Sequence, residues 1–168
     1  MDQSPEFLKL LEENRGILLK VARVYCADAI DQEDLIQETI FQIWKSFDSY
    51  RSESKFSTWM YRVALNTAMT FIKRNRKRPL TNVENSLAET MPVTVDDSRE
   101  RNSQLDQFYI AVDSLSKVEK ALILLFLDGF SHREIGSQLG ISEGNARVKL
   151  NRTKNKIRDH LKGMENDL

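Results

Sequence analysis

The sequence predicts an all-α protein built as two small helical domains joined by a flexible linker. Three observations lead to this fold class. Only 6 of the 168 residues are Gly and 3 are Pro, and the stretches between them are rich in Leu, Lys, Glu, Gln, Arg and Ile, which favour helix. Apolar residues recur at intervals of three and four through several segments, and no segment shows the two-residue alternation of a half-buried strand. Between residues 79 and 104 the periodicity lapses, which sets the expected domains at 1–78 and 105–168.

Each element has its own signal. Ser4-Pro5 is a helix start, with Ser as cap and Pro at the first helical position. Phe7, Leu8, Leu11, Leu18, Leu19 and Ala22 carry a first helix to about Cys26. Asp31 reads as the next N-cap, and Glu33 and Asp34 suit the positive end of the helix dipole. Leu35, Ile36, Ile40, Ile43, Trp44 and Phe47 share one face of that second helix, and Asp34, Gln37, Glu38 and Gln42 the other. Residues 48–54 are polar and read as a loop. A third helix spans about 55–77, with an apolar stripe of Phe56, Trp59 or Met60, Val63, Thr67 and Phe71, and ends at Pro79. Past the linker, Leu105, Phe108, Val112 and Leu115 mark a short helix. Two capping boxes follow, Ser116 with Glu119 and Ser131 with Glu134. The first opens the apolar run 121–127, stopped at Asp128-Gly129, and the second opens a helix stopped at Gly140. Ser142 caps a last helix with a stripe at Ala146, Leu150, Ile157 and Leu161.

Composition narrows the function. Apolar residues make up 40% of the chain and charged residues 30%, as expected of a folded soluble protein. No apolar run reaches the length of a membrane span and no secretory signal pattern opens the chain, so no membrane insertion is expected. The single cysteine, Cys26, reads as a core residue; it excludes an internal disulfide, and the cytoplasm is the expected compartment. No paired acid and base, metal cluster or phosphate-cradling loop is evident, and His132 and His160 are far apart, so no catalysis, metal or cofactor is expected. The 25 basic and 25 acidic residues cancel, but they are not evenly spread. Residues 71–80 hold five basic groups and no acid, residues 142–162 seven basic against two acidic, and residues 81–120 eight acidic against four basic. Two basic patches flanking an acidic stretch suggest two contacts on one polyanion.

Residues 131–156 have the form of a helix-turn-helix, with Gly140 at the corner and Ile141 packed in the turn. The second helix is then free to enter a DNA major groove. Its outward face, stepping by three or four, is Glu143, Arg147, Asn151, Lys154 and Arg158. Arg suits guanine edges and Asn adenine, whereas Lys more often holds phosphate. In the N-terminal half, the acids and amides of the 31–47 helix suit a basic protein partner. Phe56, Trp59, Tyr61, Arg62 and Asn66, before the basic tail, combine the stacking and cationic groups that single-stranded nucleic acid requires; core packing alone also accounts for Phe56 and Trp59, and both roles are compatible.

Three strings resemble known sequence regions. Residues 31–41 (DQEDLIQETIF) and 56–68 (FSTWMYRVALNTA) are similar to region two of the bacterial sigma factors, and residues 129–142 (GFSHREIGSQLGIS) to region four. In this order, with a short linker and nothing else, they resemble the extracytoplasmic-function (ECF) group of the sigma-70 family. The resemblance implies a non-catalytic subunit that gives RNA polymerase its promoter specificity. By position, Asp34, Leu35, Gln37 and Glu38 would dock on the clamp helices of the largest polymerase subunit, and residues 121–127 would meet the flap. Trp59, Arg62 and Asn66, with the loop from Arg51 to Lys55, would face the minus-ten element as it melts; Lys73, Arg74, Arg76 and Lys77 would follow its phosphates. Arg147 and Asn151, with Ser142, Glu143, Asn145, Val148, Arg152 and Lys154, would read the minus-thirty-five element. An anti-sigma partner is implied by analogy alone. The chain departs from the family pattern at Asn145-Ala146, where Thr or Ser and then Val are usual. It also has Val148 where a small polar residue is usual, and Gly136 where Ala is usual. The residues by themselves also accommodate a stand-alone helix-turn-helix regulator, which would bind duplex DNA without polymerase, or a helical adaptor that sequesters proteins.

Overall fold

The computed structural model describes residues 4–75 and 98–166, and helices α1 to α8 account for most of them. The chain divides into two compact units, one up to Asn82 and one from Val83. The basic residues Arg76 and Lys77, the predicted stop at Pro79 and most of the linker lie outside the described residues.

In the first unit, the predicted first helix is two: α1 (Ser4–Glu13) and α2 (Arg15–Tyr25), broken at Asn14. Asn14 donates its side-chain amide to the Leu10 carbonyl (2.8 Å), satisfying a terminal acceptor where the helix ends. Helix α3 (Ala29–Ser46) starts earlier than the sequence suggested, because Asp28, not Asp31, is its cap. The Asp28 carboxylate accepts from the amides of Ile30 (2.6 Å) and Asp31 (3.3 Å), and Asp31 falls in the first turn, where the dipole favours an acid. A 3-10 turn (Phe47–Ser49) leads through an exposed loop to α4 (Phe56–Asn75). Helices α2, α3 and α4 pack on one another around Val21, Leu35, Ile43, Met60, Tyr61, Ala64 and Ala68, each at most 1% exposed. The α4 face that is buried is therefore rotated from the predicted stripe. Trp59, Val63 and Thr67 stand at its margins and Tyr61 lies inside.

In the second unit, α5 (Ser98–Asp113) begins within the stretch read as linker. Both capping boxes form as predicted. The Glu119 and Ser116 side chains bond each other's backbone amides at the start of α6 (Lys117–Leu127), and Ser131 and Glu134 do the same for α7 (His132–Leu139). Helix α8 (Glu143–Asn166) packs against α5, α6 and α7. Its buried side is Ala146, Leu150, Thr153 and Ile157. Thr153 was not foreseen there; its hydroxyl donates to the Lys149 carbonyl (2.8 Å), which satisfies it without water. No described helix is long and apolar enough to cross a membrane.

Candidate nucleic-acid and polymerase interfaces

On α3 the residues expected to dock on protein split into two groups. Asp34 and Gln37 are exposed and Glu38 is half-exposed, with Glu38 accepting from Gln42 (3.0 Å) and Glu33 weakly from Gln37 (3.5 Å). Leu35 does not belong with them. It is 1% exposed and packed in the α2–α3–α4 core, because it stands about 100° round the helix from Asp34, on the side turned towards α2 and α4. Leu35 supports the surface from beneath and is not part of it. Exposed aromatics extend that surface instead: Phe41 is 57% and Trp44 50% exposed, and Trp44 rests edge-on against Phe7 of α1 (4.8 Å between ring centres). The periodicity placed Trp44 inside; its large ring is only half covered.

Along α4, Trp59, Arg62, Asn66, Thr70 and Lys73 step by three or four and form one stripe that is exposed apart from the half-buried Trp59. It runs for about 21 Å at 1.5 Å per residue. Phe56 (5% exposed) and Tyr61 (1%) belong to the core and offer no ring for stacking. Tyr50, which sequence reading passed over, takes their place. Its ring lies 5.2 Å from Trp59 and 5.5 Å from Phe56, and its hydroxyl donates to the Ser54 carbonyl (2.8 Å), closing the loop that carries Arg51 and Lys55. An aromatic residue at the edge of a short polar loop was the available signal. Arg74 approaches Phe71 (5.5 Å) and, with Asn66, Thr70, Gln42 and Glu38, lines a groove of about 270 Å³ between α3 and α4. One groove thus joins residues assigned to protein docking with residues assigned to DNA.

In the second unit, α7 and α8 form the expected corner. Gly140 adopts a left-handed conformation (φ 68°, ψ 33°), and the Ile141 amide bonds the Gly136 carbonyl (3.0 Å). A Cβ at Gly136 would lie 2.7 Å from the Ile141 carbonyl oxygen, so the residue that sequence reasoning took as a mere loss of helix propensity permits a close backbone approach. Ser142 acts as the cap, its hydroxyl accepting from the Asn145 amide (3.1 Å). Glu143, Asn145, Arg147, Val148, Asn151 and Arg152 are all exposed on α8. Arg147 pairs with Glu143 (3.3 Å), but both are largely solvated and such pairs are weak, so the guanidinium is readily redirected. Lys154 is half-buried, its ammonium 3.5 Å from the centre of the Phe126 ring. Of the run 121–127, residues 121–125 are buried and only Phe126 and Leu127 reach the surface.

A helical unit with an acidic face and a basic aromatic stripe, followed by a helix-turn-helix unit, has a counterpart among known families. Residues 10–78 match sigma-70 region 2 and residues 105–157 match sigma-70 region 4. The chain belongs to the ECF group of the sigma-70 family. Sigma factors are non-catalytic specificity subunits of RNA polymerase. The ECF RNA polymerase sigma factor SigE of Mycolicibacterium smegmatis is 24% identical over 168 residues, which cover 94% of this chain. The chain spans only 62% of the length of that relative. The ECF RNA polymerase sigma-E factor of Escherichia coli K12 is 28% identical over 137 residues, covering 76% of this chain and 72% of that protein. Two solved structures share the fold. One is CnrH in complex with the cytosolic domain of CnrY (TM-score 0.66, 20% identity, 94% of this chain and 88% of that one). The other is the sigma factor RpoE of Bartonella quintana with the anti-sigma factor NepR (TM-score 0.65, 22% identity, 96% and 97%). Apart from residues 76–78, both matched regions fall within the described residues.

Proposed function

We propose that this sigma-family chain binds core RNA polymerase and directs promoter-specific initiation, with region 2 acting on the minus-ten element and region 4 on the minus-thirty-five element. The observation that carries the reading is the division of surfaces within region 2. Asp34, Gln37 and Glu38, with Phe41 and Trp44, present an acidic and aromatic face suited to the clamp helices of the largest subunit. The α4 stripe, with Tyr50, Arg51 and Lys55, presents stacking and cationic groups suited to unpaired promoter DNA. A stand-alone duplex-binding regulator uses neither surface.

Strand opening follows from differential binding. Contacts to unstacked bases exist only once the duplex has opened, so they lower the free energy of the open state and leave the closed duplex unaffected. Unstacking a base costs a few kcal/mol, an amount that stacking at about 1–3 kcal/mol per base can offset. Region 4 supplies the upstream anchor through the outward face of α8, with Phe126 and Leu127 towards the flap. The polymerase supplies the chemistry, and the site of action is the cytoplasm, at the nucleoid. Because RpoE of Bartonella quintana was solved with an anti-sigma factor, we assign a regulator of that kind to this chain as well. The exposed Phe41, Trp44 and Leu127 offer it apolar anchors. In vitro transcription with core polymerase and a random promoter library tests the central reading, and failure to enrich any promoter would overturn it.

A further inference from the structure

The outward face of α8 is polar except at one position. Val148 leaves 49% of its surface exposed, and among the described residues no other large apolar side chain of α8 stands so far out. It is not needed inside, where Ala146, Leu150, Thr153 and Ile157 already fill the inner face. It borders a cleft of about 460 Å³, lined also by His132 from the start of α7 and by Arg147, Leu150, Asn151 and Lys154. The valine thus sits beside the arginine and asparagine that carry this helix's hydrogen-bonding capacity. A lone exposed apolar residue is ordinary; one at this place, among groups suited to base edges, is not neutral. A valine in a helix holds essentially one χ1 rotamer, so its methyl groups are presented in a fixed position.

We propose that Val148 is a specificity-determining residue that reads the C5-methyl group of a thymine in the upstream promoter element. This inference rests on the major-groove role proposed above for α8. On the floor of the major groove, base pairs differ in their donors and acceptors, and the thymine C5-methyl is the apolar mark among them. Val148 supplies the matching apolar surface. A cytosine at the same place lacks the methyl and sets a polar edge against the valine.

The test uses holoenzyme assembled from the full chain and core polymerase, and a promoter that this holoenzyme selects from a random library. Each thymine of the upstream element, on either strand, is replaced singly by uracil, which keeps every hydrogen-bonding group and removes only the methyl. Binding is measured by competition for the unaltered chain and for Val148→Ala, an exposed change to the best helix former. At one position, uracil should weaken binding by about fourfold, the factor for one buried methylene-sized group. Val148→Ala, which withdraws two methyl groups, should discriminate less between the thymine and uracil promoters than the unaltered chain does. The proposal is overturned if the unaltered chain is indifferent to every uracil, if the selected element has no preferred thymine, or if the discrimination persists undiminished in Val148→Ala. A holoenzyme that selects no promoter at all would overturn the promoter-specificity reading, and this inference with it.

Discussion

Gly140 and Gly136 shape the corner of region 4 for opposite reasons, and alanine at each position separates them. At Gly140 the backbone is left-handed, and a Cβ would meet nothing within 4 Å. Gly140→Ala therefore adds no steric contact, only the cost of holding an L-residue in that conformation, about 1–2 kcal/mol. Alanine also restricts the unfolded chain, which returns about 0.4–1 kcal/mol. The expected net loss is about 1 kcal/mol, or about 4–8 °C in Tm for a domain of this size. Gly140→Asn should lose less, because Asn visits the left-handed region more readily. At Gly136, alanine should gain up to about 1 kcal/mol in helix propensity. Its Cβ, however, would lie 2.7 Å from the Ile141 carbonyl oxygen and 3.3 Å from the Glu143 amide nitrogen, both backbone atoms. The turn must shift to admit it, and Gly136→Ala should be less stable despite the propensity gain. Urea unfolding of the full chain, with hydrogen exchange read at α6–α8 amides, isolates region 4 from region 2. A Gly140→Ala variant as stable as the unaltered chain, or an Asn variant as unstable as the Ala one, would refute the strain argument. A stabilising Gly136→Ala would refute the close-approach argument.

Three further predictions follow from the surfaces and charges. Asp34→Lys should weaken binding to core polymerase while leaving thermal unfolding unchanged, whereas Leu35→Ala should cost about 2–5 kcal/mol of stability as a buried truncation. Equal polymerase affinity for Asp34→Lys would remove that residue from the docking surface. Arg147→Ala should cost about 1–3 kcal/mol in upstream-element binding and relax the preference at one base pair; uniform loss across all sequences would instead make it a phosphate contact. Burial pushes the Glu119 carboxyl up, but its bonds to Lys156 and Ser116 outweigh this and hold it below its ordinary value. A depressed folded-state value means stability present above the unfolded carboxylate range and lost as pH falls through the folded value. Glu119→Gln should flatten that acid-side loss in region 4, and an unchanged pH profile in the variant would count against the pairing.

The parts of the fold that were legible from sequence are those governed by residues a few positions apart. Ser116 with Glu119, Ser131 with Glu134, and Gly140 were read correctly because each is a side-chain or conformational device closed within one helical turn. Where two local candidates competed, as Asp28 and Asp31 did for the α3 cap, spacing alone chose wrongly. The start of α5 at Ser98 was missed because its first two turns carry no apolar periodicity. The candidate surfaces were legible in outline: Asp34, Gln37, Asn66, Lys73, Arg147 and Asn151 all stand exposed. Arg76 and Lys77 lie outside the described residues.

Sequence by itself determined the all-α class, the two capping boxes and the Gly140 corner, the uneven charge and the family to which the chain belongs, since these depend on the order and type of neighbouring residues. Tertiary structure alone decided which of those residues face solvent. Leu35 and Asp34 are adjacent in the chain, yet one fills the core and the other stands on the surface, and the packing of α2 and α4 against α3 sets that division. The same holds for Tyr61 against Tyr50, and for Gly136, whose close neighbours are the backbone atoms of the turn five to seven residues further on. Burial and close approach are relations between helices, and a one-dimensional period locates them only to within the width of a face.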